Sequence, residues 1–154
     1  MNTKQTIILA SDHAGFELKE AVKIFLHEKG YAIDDIGAHA YDEEDDYPVY
    51  MSKAAIQVAQ DLKGHARAVI FGGSGEGEAI VANRFPGVRA VVWYGGSHDI
   101  LRLSRQHNNA NVLSIGARLV QVEEAKKAII EWLETPFSGE ERHKRRIEEI
   151  DSIE

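Results

Sequence analysis

Cysteine is absent from this chain of 154 residues. Disulfides, thiolate nucleophiles and zinc sites built from sulfur are therefore excluded, and any proton moved in catalysis must travel through His, Asp, Glu, Lys or Tyr. Positive charge is also scarce: 18 Lys and Arg stand against 25 Asp and Glu, for a net charge of −7 at neutral pH. Such a balance argues against broad nucleic-acid binding and repels anionic substrates at long range, so an anion site here has to be local. No apolar run approaches the roughly 20 residues that cross a bilayer, and residues 1–5 lack the charged and apolar regions of a signal peptide. The expectation is a cytoplasmic protein with no membrane partner. Internal repeats and low-complexity linkers are missing as well, and the length suits a single domain over 1–154.

What is present is enough to build a core, since 44% of the residues are hydrophobic. Residues 6–11 form a short apolar run ending in small and polar side chains. Residues 16–29 then show helical spacing through Phe16, Leu18, Val22, Phe25 and Leu26, stopped by Gly30. A second strand is expected at 31–36, an acidic loop at 42–46, and a helix opened by Pro48. Residues 66–71 read as a strand, 72–77 as a glycine-rich turn and 78–84 as a short helix closed before Pro86. A fourth strand at 88–93, a helix at 97–106, a fifth strand at 112–115, an amphipathic helix at 122–133 and a charged helix from about 139 complete the pattern. Short apolar strands alternating with helices predict an α/β fold: a Rossmann-like, doubly wound, parallel five-stranded sheet with helices on both faces and a C-terminal extension helix. In such folds sites form at the carboxyl ends of strands.

Four stretches can carry chemistry. The loop Gly72-Gly73-Ser74-Gly75-Glu76-Gly77-Glu78 presents successive amides at a helix start, the construction of an anion nest. It is neither a phosphate-binding P-loop nor a dinucleotide fingerprint, because the lysine and the glycine spacing are wrong. Glu76 and Glu78 would repel a phosphate, so a transient oxyanion fits better, with a carboxylate beside it to take and return a proton. The helix start is expected to keep Glu78 ionised. The same loop also reads as a tight turn with two solvated acids in the first helical turn.

Ser11-Asp12-His13-Ala14-Gly15 places a carboxylate and an imidazole at the end of the first strand, where Asp12 could equally be a helix N-cap and His13 a polar loop residue. Arg105-Gln106-His107-Asn108-Asn109 offers one imidazole and two amides before strand five. His27, His39, His65 and His98 have no such company and are assigned to the solvated surface. Arg118 supplies a planar cation suited to phosphate oxygens. In Arg142-His143-Lys144-Arg145-Arg146, residues 142 and 146 share a helix face and could clamp one phosphate. The alternative is an exposed helix paired internally through Glu140 with Lys144 and Glu141 with Arg145. Trp93-Tyr94-Gly95-Gly96-Ser97 could line a sugar pocket or form interface core.

In order and spacing, these stretches resemble the ribose-5-phosphate isomerase B family, which includes galactose-6-phosphate isomerase subunits. The resemblance runs from Ser11-Asp12-His13-Ala14-Gly15-Phe16-Glu17-Leu18-Lys19 through Asp46-Tyr47-Pro48, Ala82-Asn83-Arg84 and His107-Asn108-Asn109-Ala110 to Arg142-His143-Lys144-Arg145-Arg146. It implies a sugar-phosphate isomerase that uses no metal and no cofactor, acting as a homodimer with each site shared across the interface. It assigns Glu78 as the base that moves a proton between C1 and C2. Ser74 and the backbone of Gly73, Gly75 and Gly77 would stabilise the enediolate, and Asp12 would handle the hydroxyl proton. His107 would open the sugar ring from the partner subunit with Asn108 beside it, and His13, Arg118, Arg142 and Arg146 would hold the phosphate. Many members carry a cysteine base where this chain has Gly72. Another branch shares Gly-Gly-Ser-Gly-x-Gly-Glu with glutamate in that role, and Glu78 fills the position. The expected reaction is ribose 5-phosphate to ribulose 5-phosphate. The rival readings are the same chemistry on a hexose 6-phosphate or a tetrose 4-phosphate, and a phosphometabolite-binding module without turnover.

Overall fold

The computed structural model describes residues 4–154. Strands and helices alternate: β1 (Lys4–Ser11), α1 (Phe16–Glu28), β2 (Tyr31–Gly37), α2 (Tyr47–Gln60), β3 (Arg67–Gly72), α3 (Glu76–Ala82), β4 (Ala90–Trp93), α4 (Asp99–Gln106), β5 (Val112–Gly116), α5 (Val122–Glu134) and α6 (Glu141–Asp151). All strand pairings are parallel and the order is β2-β1-β3-β5-β4.

Period-2 alternation explains why the sheet needs cover on both faces. Ile7, Leu9, Val69, Phe71, Leu113 and Ile115 pack with α1, α4 and α5, while Ile8, Ala10, Ala68, Ile70 and Val112 pack with α2 and α3. Each large apolar side chain buried this way contributes about 1.5–3 kcal/mol, so the three central strands are the rigid floor beneath the loops. The helix placement follows from right-handed crossovers: α1 and α4 precede steps in one direction along the sheet, α2 and α3 precede steps in the other.

Several boundaries differ from the sequence expectation, for local reasons. α3 begins at Glu76 instead of 78 because Gly75, in the left-handed region at φ 85°, is its N-cap. β4 begins at Ala90, since the backbone of Arg89 donates to Asn111 Oδ1 at 2.7 Å before the strand starts. Asp12 is not the N-cap of α1: that position is Gly15, whose amide donates to Asp12 Oδ1 at 3.2 Å. No described helix is long and apolar enough to cross a membrane.

Candidate active site at the ends of the parallel sheet

β1 and β3 lie at the point where the strand order reverses, β1 leading outward to β2 and β3 leading the other way. A crevice at this switch point is where open α/β sheets bind ligands. Asp12 and His13 follow β1 there, and the glycine-rich loop follows β3. That loop is built tightly onto the end of β5. Gly72 O accepts from Ala117 N at 2.8 Å, Gly73 O from Arg118 N at 3.1 Å, and Gly75 O from Ser114 Oγ at 2.6 Å. A Cβ on Gly116 would stand 2.5 Å from Ser74 O, so only glycine lets the two loops approach this closely. Ser74 is exposed at the rim, its Oγ accepting from the amide of Glu76 at 3.2 Å.

Glu78 is buried, with 4% of its surface exposed. It occupies the third residue of α3, from which a glutamate reaches back toward the N-cap amide. Burial raises its pKa above the ordinary carboxylate value, and the Asp12 and Glu76 charges add to that, while the amides of Glu78 and Gly75 oppose it. Burial therefore outweighs the helix start, contrary to the expectation of a carboxylate held ionised by the helix dipole. The result is a desolvated carboxylate beside Asp12 and beside backbone amides, a stronger base once ionised than a solvated glutamate.

His13 stands at the edge of the same crevice. Its backbone N donates to Asp45 Oδ1 at 3.1 Å and its Nδ1 lies 2.6 Å from the same oxygen, with the Tyr41 ring edge-on to the imidazole. The Asp45 hydrogen bond raises the His13 pKa, against a smaller lowering by burial, and favours the imidazolium. The Arg118 guanidinium lies against Gly73 and is exposed. Tyr47 reaches over the loop, its hydroxyl 2.6 Å from where a Cβ on Gly77 would sit. Among the described residues, Asp12, His13 and Asp45 are the one group whose side chains converge enough to hold a metal ion. They fit one poorly, because His13 Nδ1 and Asp45 are already bonded to each other, Asp12 accepts the Gly15 amide, and a raised histidine pKa disfavours coordination.

The remaining expected residues lie at the other end of the sheet. His107 is the C-cap of α4, and Asn108 is exposed beside it. The His107 ring stacks on His143 of α6, centroids 4.3 Å apart at 14°. His143 is buried, its Nε2 without a hydrogen bond and 3.9 Å from the Glu140 carboxylate; burial, helped by the neighbouring His107, Arg142 and Arg146 and opposed by Glu140, lowers its pKa. Arg142 and Arg146 are exposed on α6. The internal pairing expected for this helix does not form. Glu140 lies outside the helix as its extended N-cap, so it meets Arg142 Nε at 2.9 Å instead of Lys144, and Arg145 meets Glu149 at 4.0 Å.

The structure thus brings Asp12, His13, Gly73, Ser74, Gly75, Gly77, Glu78 and Arg118 together at the carboxyl ends of the strands. It brings His107, Asn108, Arg142 and Arg146 together at the amino ends. β5 separates the two sets with five residues at about 3.3 Å each, roughly 16 Å, which no side chain spans.

Asp45, Tyr47 and His143 join these groups without having been singled out. Asp45 lies in the acidic loop, Tyr47 opens α2 just before Pro48, and His143 is the one buried residue of α6. His98, assigned above to the solvated surface, is instead half-buried, edge-on to Trp93 and paired with Glu131. Trp93 itself is buried in the core, while Tyr94 is exposed.

Residues 7–150 match the family model described as ribose/galactose isomerase. The chain belongs to that family. Among its members, ribose-5-phosphate isomerase B of Mycolicibacterium paratuberculosis is 41% identical over 143 residues, which cover 92% of this chain and 87% of that one. D-erythrulose-4-phosphate isomerase 2 of Mycolicibacterium smegmatis is 34% identical over 153 residues, 96% of each chain. The crystal structure of ribose-5-phosphate isomerase B from Mycoplasma genitalium with bound ribulose-5-phosphate superposes with a TM-score of 0.90 at 33% identity, covering 97% of this chain and 96% of that one.

Proposed function

We propose that this member of the family interconverts ribose 5-phosphate and ribulose 5-phosphate through an enediolate, without a metal, at a site completed by a second copy of the chain. The observation that carries the reading is Glu78: a buried carboxylate of raised pKa, next to Asp12 and the amides of the 72–78 loop. A site built only to bind a sugar phosphate would put Lys or Arg there.

In the forward direction His107 of the second copy gives a proton to the ring oxygen, the C1–O4 bond breaks, and Asp12 takes the proton of the C1 hydroxyl as the aldehyde forms. Glu78 then removes the C2 proton. The developing oxyanion is held by Ser74 and by the amides of Gly73, Gly75 and Gly77. Glu78 returns the proton to C1 while Asp12 gives the proton it holds to O1 and accepts the one leaving O2, which leaves the ketose. His13 and Arg118 of one copy and Arg142 and Arg146 of the other hold the phosphate, and binding at that end places the reacting carbons.

Two features support the shared site. The residues it needs lie at opposite ends of a single sheet, too far apart to act together within one copy. The α3–β4–α4 edge between them is also apolar and open to solvent: Ile80 is 61% exposed, Tyr94 52%, Ile100 53% and Leu103 41%. An isologous pair about a two-fold axis would cover this edge and bring the amino-end set of each copy to the carboxyl-end set of the other.

A tetrose 4-phosphate substrate is the second reading, favoured by the relative that is named for D-erythrulose 4-phosphate. The test is turnover by the purified protein with EDTA present, on ribose 5-phosphate, galactose 6-phosphate, allose 6-phosphate and erythrulose 4-phosphate. Preferred turnover of ribose 5-phosphate supports the proposal. Turnover of another sugar alone keeps the mechanism and changes the substrate, and no turnover of any sinks the enzymatic reading.

A further inference from the structure

Three arginines crowd the amino edge of the sheet, and the mechanism above uses none of them. Arg67 opens β3, Arg89 precedes β4, and Arg105 lies in the last turn of α4. Burial together with the charges of Arg67 and Arg89 pulls the Arg105 guanidinium down to about 10, which leaves it cationic at neutral pH. Among the described residues the only acid within ion-pair range of the three is Asp151, 3.7 Å from Arg89. Grouping one buried and two half-buried like charges with so little compensation costs stability, so what they grip is informative.

Arg67 donates to Gly64 O at 3.2 Å and to Ala66 O at 2.9 Å, whereas Arg89 and Arg105 together grip one turn of backbone. Asn109 is the one described non-glycine residue with positive φ, at 46°. Arg89 Nε donates to Asn108 O at 3.0 Å and to Asn109 O at 3.2 Å, and its Nη2 to Asn109 O at 3.1 Å. From the other side Arg105 Nη1 donates to Asn109 Oδ1 at 2.8 Å and to Ala110 O at 2.6 Å. Arg105 Nε donates to Thr135 O at 3.1 Å, which ties the same turn to the segment leading into α6. A planar fork with five donors can satisfy several carbonyls at fixed angles, and lysine cannot. Asn108 belongs to the gripped turn, and His107 stands immediately before it.

We infer that Arg89 and Arg105 are positioning residues for the reaction: by clamping residues 108–110 from two sides they hold His107 and Asn108 where ring opening in the second copy requires them. The inference rests on the function proposed above and sharpens it, because the clamp serves only one of the two chemical stages. Ribose 5-phosphate closes into a ring through O4 and must be opened, with His107 protonating O4 as the C1–O4 bond breaks. Ribulose 5-phosphate carries its phosphate on the hydroxyl that would close a five-membered ring onto C2, so it is open-chain. Proton exchange at its C1 uses Glu78, the 72–78 loop, Asp12 and the phosphate-holding residues, and has no ring-opening step for His107 to perform.

The experiment compares these two reactions in R89K and R105K of the full chain: conversion of ribose 5-phosphate, and wash-in of solvent deuterium at C1 of ribulose 5-phosphate. A displaced general acid lowers the conversion by about tenfold or more. The exchange rate stays within about twofold of the unmodified protein. N109G is the companion variant if either lysine variant fails to fold, since glycine adopts φ 46° freely and loses only the Oδ1 anchor; the same split, smaller in size, is expected. Equal losses in both reactions, or no loss in either, would overturn the inference and leave the arginines a structural role. Failure of the unmodified protein in both reactions would instead remove the proposed function, and the inference with it.

Discussion

A Cβ on Gly72 would overlap the carboxylate of Glu78. The last residue of β3 is therefore not merely tolerant of glycine: its missing side chain is the space into which the buried base folds. The overlapped atoms are the end of a side chain, which can swing away, so Gly72→Ala should fold with a melting temperature near that of the parent. Displacing the carboxylate should nevertheless lower turnover by about a hundredfold, as misplacement of a catalytic group by about 1 Å does. Gly15 is the contrast, since a Cβ there meets the backbone of Phe71 at 2.5 Å and no rotation relieves it. Gly15→Ala should lower the melting temperature outright; a stable Gly15→Ala with an unstable Gly72→Ala would reverse the assignment.

Glu78→Gln separates catalysis from stability. Turnover should fall by about a thousandfold or more, since the amide cannot accept the C2 proton. Because burial raises the Glu78 pKa, the folded state binds this proton more tightly than the unfolded chain does. The stability linked to the bound proton is complete below the ordinary glutamate value and is lost as pH rises through the folded one. Near neutral pH the Gln variant should therefore melt no lower than the parent, and any advantage should shrink on acidification. A large drop in melting temperature at neutral pH would contradict a strained, buried carboxylate.

Asp45 should tune substrate affinity through His13. The hydrogen bond that His13 donates to Asp45 raises the His13 pKa, so the imidazolium persists above the ordinary histidine value. Its stabilising contribution is complete below that ordinary value and fades as pH rises through the folded one. Asp45→Asn should shift the alkaline rise of KM for the sugar phosphate toward lower pH, with kcat little changed on the acid side. An unmoved KM profile, measured by initial rates across pH, would take His13 out of phosphate binding.

Subunit mixing tests the shared site directly. Glu78→Gln and His107→Asn should each be inactive alone. In a mixed dimer one site carries both changes and the other carries neither, so an equal mixture after subunit exchange should regain about a quarter of the parental activity, by counting the sites of a two-fold dimer. Activity that stays at zero after exchange, verified by mass spectrometry of mixed dimers, would place both residues in one copy.

Much of this was legible in the chain. Alternation in Ile7-Ile8-Leu9-Ala10 and Val69-Ile70-Phe71 demands burial on both faces, and helices between such runs leave a parallel sheet as the consistent arrangement. Motif order was enough to name Glu78, Asp12 and the glycine loop as candidates. Element ends were harder to read, because they depend on single backbone conformations such as the left-handed Gly75 that starts α3 two residues early.

The sequence by itself determined the fold class, the absence of thiol chemistry and the residue types available for proton transfer, because these follow from composition and local periodicity. Only the tertiary structure decided the state of each group. Burial, not helix position, governs the Glu78 pKa; Asp45 arrives at His13 from 32 residues away; His143 turns inward onto His107. Only the parallel register puts Glu78 and His107 at opposite ends of one sheet, because position along a strand is set by pairing between distant segments, to which spacing along the chain is blind.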